Sequence, residues 1–132
     1  MIIFNKGDKM DSNIFITLLK DAGLDTDKAI QRFMGNSDLF IKFILKFPEC
    51  MNFNAMLNAL EQENEEEFYM LVHNLKGNAG NLGINNVYEC AQAILTEFRS
   101  TKFVQKKKLQ SIIEEARTEG DLIVELLQKY ES

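Results

Sequence analysis

Apolar residues recur at intervals of three and four along almost the whole chain, the spacing that lines up one face of an α-helix. Ile14, Phe15, Leu18 and Leu19 follow Ser12, a capping residue, and Ala29, Ile30 and Phe33 follow Asp25-Thr26, so two short helices are predicted with Gly23 between them. Asn36-Ser37-Asp38 offers capping side chains to a third helix, with Leu39, Phe40, Phe43, Ile44 and Phe47 on its core face and Pro48 as its stop. Phe53, Met56, Leu57 and Leu60 mark a fourth. The longer stripe Phe68, Leu71, Val72, Leu75, Ala79 and Leu82 predicts one helix ending at Gly83, a residue suited to a left-handed cap. Val87, Ala91, Ile94, Leu95 and Phe98 form the next stripe after Asn85-Asn86. A looser segment, Ser100 to Lys108, leads into a long helix with Leu109, Ile112, Ile113, Ala116, Ile123, Leu127 and Tyr130 on one side.

Short connections between amphipathic helices make neighbours antiparallel. The expected class is therefore all-α: an antiparallel four-helix bundle with one or two short N-terminal helices and a long C-terminal helix. Composition agrees, since seven glycines, one proline and no tryptophan leave too little turn chemistry for a sandwich or barrel. At 132 residues, 45% hydrophobic, the chain suits one domain over residues 1–132, and no repeat, linker or low-complexity tract divides it.

Fifteen basic residues against twenty acidic ones give a net charge of −5, which argues against a broad nucleic-acid or anionic-membrane surface. Cys50 and Cys90 lack a CxxC neighbour and the sequence has one histidine, so no metal site is expected and both thiols read as buried, reduced side chains. The opening run Met1 to Asp8 turns polar too soon for a signal peptide, and no stretch approaches the roughly 20 apolar residues of a membrane span. A cytoplasmic protein is the expectation. Lys106-Lys107-Lys108 reads as a solvated face with an acidic contact. Phe103, taken as exposed, and the long last helix offer surfaces for self-association, although covering the bundle's own core is their commoner use.

Candidate chemistry lies on the helix that ends at Gly83. With successive side chains about 100° apart, Leu71, Val72, Leu75, Ala79 and Leu82 fall between about 160° and 260° from His73, which therefore points away from the core. Lys76, Tyr69, Gly80, Glu66, Gly77 and Met70 lie within about 60° of it. Gly77 and Gly80 each cost on the order of 1 kcal/mol against alanine inside a helix. Such a cost is explained if another molecule must come close beside the histidine. An exposed imidazole with a lysine one turn away is suited to take and give up a phosphoryl group through a ring nitrogen. Lys76 would offset charge on the phosphoryl oxygens.

The run His73-Asn74-Leu75-Lys76-Gly77-Asn78-Ala79-Gly80-Asn81-Leu82-Gly83 resembles the HxLKGxxxxLG signature of histidine-containing phosphotransfer (HPt) domains at every fixed position. Gly23-Leu24-Asp25 through Phe33, and Asn36 to Phe47, look like that family's opening helices, so the resemblance covers about residues 22 to 100. It implies a four-helix bundle with an exposed phosphorylatable histidine and no kinase activity. Carried over by position, His73 is the phosphoryl acceptor and donor, Lys76 steadies the phosphoryl group, and Gly77 is the gap that admits a partner. Tyr69, Met70 and Gly80 complete the docking face. The partners implied are response-regulator receiver domains and a hybrid sensor kinase in a two-component phosphorelay, with Mg²⁺ supplied by the receiver and no intrinsic cofactor. The family often orients the imidazole with a polar side chain on the next helix, for which Gln92 is the candidate. Leu95 departs from the pattern, because a glutamate is common there.

The competing class is a non-enzymatic helical adaptor that docks a receiver domain or partner helix without phosphotransfer. Lys76 and two glycines beside His73 are more than docking alone requires. A hydrolase is a distant third, since one histidine has no second catalytic group around it.

Overall fold

Asp11, Asp25, Asn36 and Asn64 each accept a hydrogen bond from a backbone N–H two or three residues ahead, at 2.8 to 3.1 Å. Each satisfies a donor that the first turn of a helix leaves free. In the computed structural model, which describes residues 10–131, these caps open α1 (Ser12–Asp21), α2 (Thr26–Arg32), α3 (Ser37–Ile44) and α5 (Glu65–Asn81). The remaining helices are α4 (Phe53–Glu61), α6 (Asn85–Thr101) and α7 (Lys106–Glu131), and a 3₁₀ turn, Phe47–Cys50, precedes α4. The expected cap Ser12 is instead the first helical residue, one place after Asp11. Residues 1–8, read above for a signal peptide, lie outside the described residues.

Short connections fold α4, α5, α6 and α7 back on one another, with α4 packed on both α5 and α7, so the four close a ring. This is the antiparallel four-helix bundle with its long last helix. Three short helices precede it, with α3 and α4 separate as the stop at Pro48 predicts. Among them α1 lies on α7, where Phe15 stacks on Tyr130 with ring centroids 4.3 Å apart.

The core runs the length of the bundle through Phe40, Ile44, Met56, Leu60, Phe68, Val72, Leu75, Ile94, Leu95 and Leu109. Two side-chain placements differ from the sequence pattern. Phe43 is 46% exposed and stacks on Phe33, while Ile41 takes the core position on α3. Phe103 is buried, edge-on to Phe68 at 5.6 Å and tilted against Phe98 at 5.2 Å. The turn after Thr101 directs it inward, through Lys102 with φ +56°. Nor is residues 100–108 a loose segment throughout, since α6 runs to Thr101 and α7 starts at Lys106.

The basic run at that start does meet acids. Lys106 pairs with Glu63 at 3.5 Å and Lys108 with Glu97 at 2.7 Å. The Lys108 ammonium, helped by the Thr101 hydroxyl, holds the Glu97 carboxyl below the usual carboxylate range.

Gly83 fixes the end of the helix that carries the motif. At φ +72° it lets the Ile84 N–H turn back to the Ala79 carbonyl at 2.9 Å, the closing bond of a Schellman cap, and Ile84 is buried beneath it. The Asp25 N–H donates to the Gly83 carbonyl at 3.0 Å, tying the start of α2 to this turn.

Candidate functional site

α5 is wedged into the bundle by Phe68, Val72, Leu75 and Ala79, all fully buried. A helix anchored along that stripe must present the opposite side, and His73 is exposed there, midway along the 17 residues. Three acids in its first turn, Glu65 to Glu67, favour the positive end of the helix dipole and lie two turns from the histidine.

The His73 ring is stacked on Tyr69, one turn earlier, with centroids 5.5 Å apart and planes within 10°. Tyr69 is half-buried, and the Arg99 guanidinium of α6 lies 6.0 Å from its ring centroid. On the C-terminal side, Lys76 extends its Nζ to 5.8 Å from the ring centroid of Tyr88, also on α6. Arg32 reaches in from α2 and donates to the carbonyls of Gly80 and Asn81, at 2.9 and 3.4 Å, near the end of α5. With His73, Lys76, Gly77, Gly80 and Tyr88 it lines an open groove of about 460 Å³.

The two glycines on this face have different causes. A β-carbon on Gly80 would stand 3.2 Å from the Tyr88 ring, so that glycine is explained by packing inside the molecule. A β-carbon on Gly77 would meet nothing within 4 Å. No internal contact compensates for the helix stability that Gly77 forgoes.

Contacts between Gly80 and Tyr88 at one end, and Tyr69 and Arg99 at the other, set the antiparallel register of α5 and α6. Residue 95 is then level with 73, and residue 92 with 76. Leu95 is fully buried and apolar, and among the described residues no hydrogen bond joins the imidazole to α6. Gln92 is half-buried one turn away, its Oε1 without a hydrogen-bond partner among the described residues. Met70 is 60% exposed on the rim. Thus His73, Lys76, Gly77 and Gly80 share the groove, Tyr69 stacks beside His73, and Gln92 lies level with Lys76 on α6. Sequence reasoning did not single out Tyr88, Arg99 or Arg32; aromatic and basic residues on other helices carry no local signal that they face α5.

A larger groove of about 560 Å³ runs along the other flank of α5, lined by Arg32, Phe33, Phe43, Lys46, Cys50 and Asn78, among others. Its thiol is a poor nucleophile: burial pushes Cys50 from the ordinary 9.0 up to about 11, and Cys90 likewise. Both are expected to resist alkylation at pH 8 in the native state and to react on unfolding, which a timed iodoacetamide assay with mass readout checks. Raised folded values also mean that the thiols' contribution to stability is complete below pH 9 and is lost as pH rises through about 11.

Among the described residues no group of three or more His, Cys, Asp or Glu side chains is placed to hold a metal ion, and no helix is long and apolar enough to cross a membrane. Compared with protein families, curated proteins and solved structures, the chain matches none of them.

Proposed function

We propose that this chain is a histidine phosphotransfer protein, in which His73 carries a phosphoryl group between receiver domains of a two-component phosphorelay. The observation that carries the reading is Gly77, one turn from His73, a helix-interior glycine whose missing β-carbon faces open space. A residue that weakens its own helix for no internal contact serves something outside the molecule. The HxLKGxxxxLG run agrees with it.

The chemistry needs little from this chain. A receiver's phosphoaspartate, with the receiver's own Mg²⁺, presents phosphorus to the lone pair of a neutral His73 ring nitrogen. The N–P bond forms as the acyl P–O bond breaks, and the aspartate leaves as a carboxylate. Lys76, one turn away, offsets charge on the phosphoryl oxygens, and Gly77 leaves room for the receiver's backbone. Return transfer to a second receiver reverses the same step.

The test is a panel of phosphorylated receiver domains offered to the full chain with Mg²⁺, read by acid lability and by mass-spectrometric site mapping. Acid-labile phosphate on His73 supports the reading. Binding without labelling overturns it in favour of an adaptor that docks receivers without phosphotransfer. Gly77→Ala gives an independent check: it should stabilise the fold by about 1 kcal/mol, as alanine does in an open helix site, yet slow transfer roughly 10- to 100-fold by holding the receiver away. A variant both more stable and equally fast would remove the argument from Gly77.

A further inference from the structure

We infer that Tyr69 is a positioning residue for His73, holding the imidazole in the plane that reaction requires. The inference rests on the reading of His73 as phosphoryl acceptor, and deepens it.

An imidazole on an exposed helix face turns about two side-chain bonds, and only some of its orientations aim a nitrogen lone pair outward. That lone pair lies in the ring plane, so an incoming phosphorus must approach the ring edge. Something must therefore hold the plane without covering the edge. A hydrogen bond from the next helix is one means, but among the described residues none joins α6 to His73. The Tyr69 stack is the other means. Its ring lies within 10° of parallel to the imidazole with centroids 5.5 Å apart, an offset stack that restrains the plane while His73 stays exposed. On the far side, one turn onward, Gly77 contributes no side chain. The ring is thus backed on its N-terminal side, while on its C-terminal side stand only Lys76, whose Nζ reaches toward Tyr88, and the bare Gly77 position, which fixes the direction of approach.

Tyr69 can act as this backing because it is itself held. It is half-buried, and Arg99 lies over its ring at 6.0 Å, tying the stack to α6 and so to the rigid bundle. An ordinary exposed tyrosine would move with the histidine and hold nothing. The phenol oxygen has no part in the argument, so phenylalanine should substitute for tyrosine.

The test compares wild type, Tyr69→Phe and Tyr69→Leu, with Tyr69→Met if the leucine variant does not fold. The probe is ammonium phosphoramidate, which needs no protein partner: a His73 nitrogen displaces ammonia from phosphorus, the P–N bond to ammonia breaking as the ring N–P bond forms, and the other ring nitrogen releases its proton to solvent. Ring-proton shifts of His73 report the stack directly by NMR. We expect the upfield displacement and the labelling rate to persist in Tyr69→Phe, and Tyr69→Leu to lose the displacement and label about twofold more slowly with the same thermal midpoint. Equal rates for wild type and Tyr69→Leu overturn the positioning role alone. Failure of wild type to label at all overturns the reading of His73 and this inference with it.

Discussion

Replacing His73 by glutamine is expected to abolish acid-labile phosphate on the chain while leaving the fold intact. Glutamine keeps a polar side chain of similar reach and good helix propensity, but its amide nitrogen has no free lone pair to offer phosphorus. His73 is exposed and contributes nothing to the core. What it does lose is the stack on Tyr69, an i, i+4 contact worth about 0.2–0.5 kcal/mol, so the thermal midpoint should stay within about 2 °C of wild type. The comparison is made with the fastest receiver from the panel, using equal protein and matched circular dichroism. Labelling retained in His73→Gln would place the chemistry on another residue.

Substituting Gly83 by alanine should have the largest effect on stability. Its φ of +72° already disfavours a β-carbon by about 1–2 kcal/mol. The space is also taken, because an added β-carbon would stand 2.5 Å from the Asp25 carbonyl oxygen and 3.0 Å from its carbon. Those are backbone atoms at the start of α2 and cannot swing aside as a side-chain tip can. The α5–α6 turn and α2 must part, straining the Asp25 to Gly83 hydrogen bond and lifting Leu82 and Ile84 from their buried positions. About 2–4 kcal/mol of destabilisation follows, a fall on the order of 10 °C in Tm for a chain of this length. Gly120→Ala is the control: its β-carbon would meet the Met51 methyl at 2.7 Å, the flexible end of a side chain that can move. Equal losses from the two substitutions would contradict this account.

The glycine at the end of the motif is thus structural, as Gly80 is, whereas no contact inside the molecule calls for Gly77. Spacing alone makes Gly77 and Gly80 equivalent, as both are helix-interior glycines on the histidine's face. Tyr88 separates them, and it comes from the next helix. The orienting contact on His73 follows the same logic. A search for a polar partner on α6 leads to Gln92, whereas the ring contact present is with Tyr69, already on the face predicted from the wheel. Phe103 was unreadable for a different reason. Whether it points in or out depends on a left-handed residue at Lys102, and lysine there gives no local sign of that conformation.

The sequence by itself determined the helices, the class of fold and the face that carries His73, Lys76 and Gly77, because helical periodicity and capping are local and a single rigid helix fixes the angles between its own side chains. Tertiary structure decided what surrounds that face: Arg32 over the end of α5, Tyr88 against Gly80 and beside Lys76, and Arg99 bracing the Tyr69 stack. Those contacts depend on the register between helices, which packing of the shared core sets and no single stretch of residues encodes.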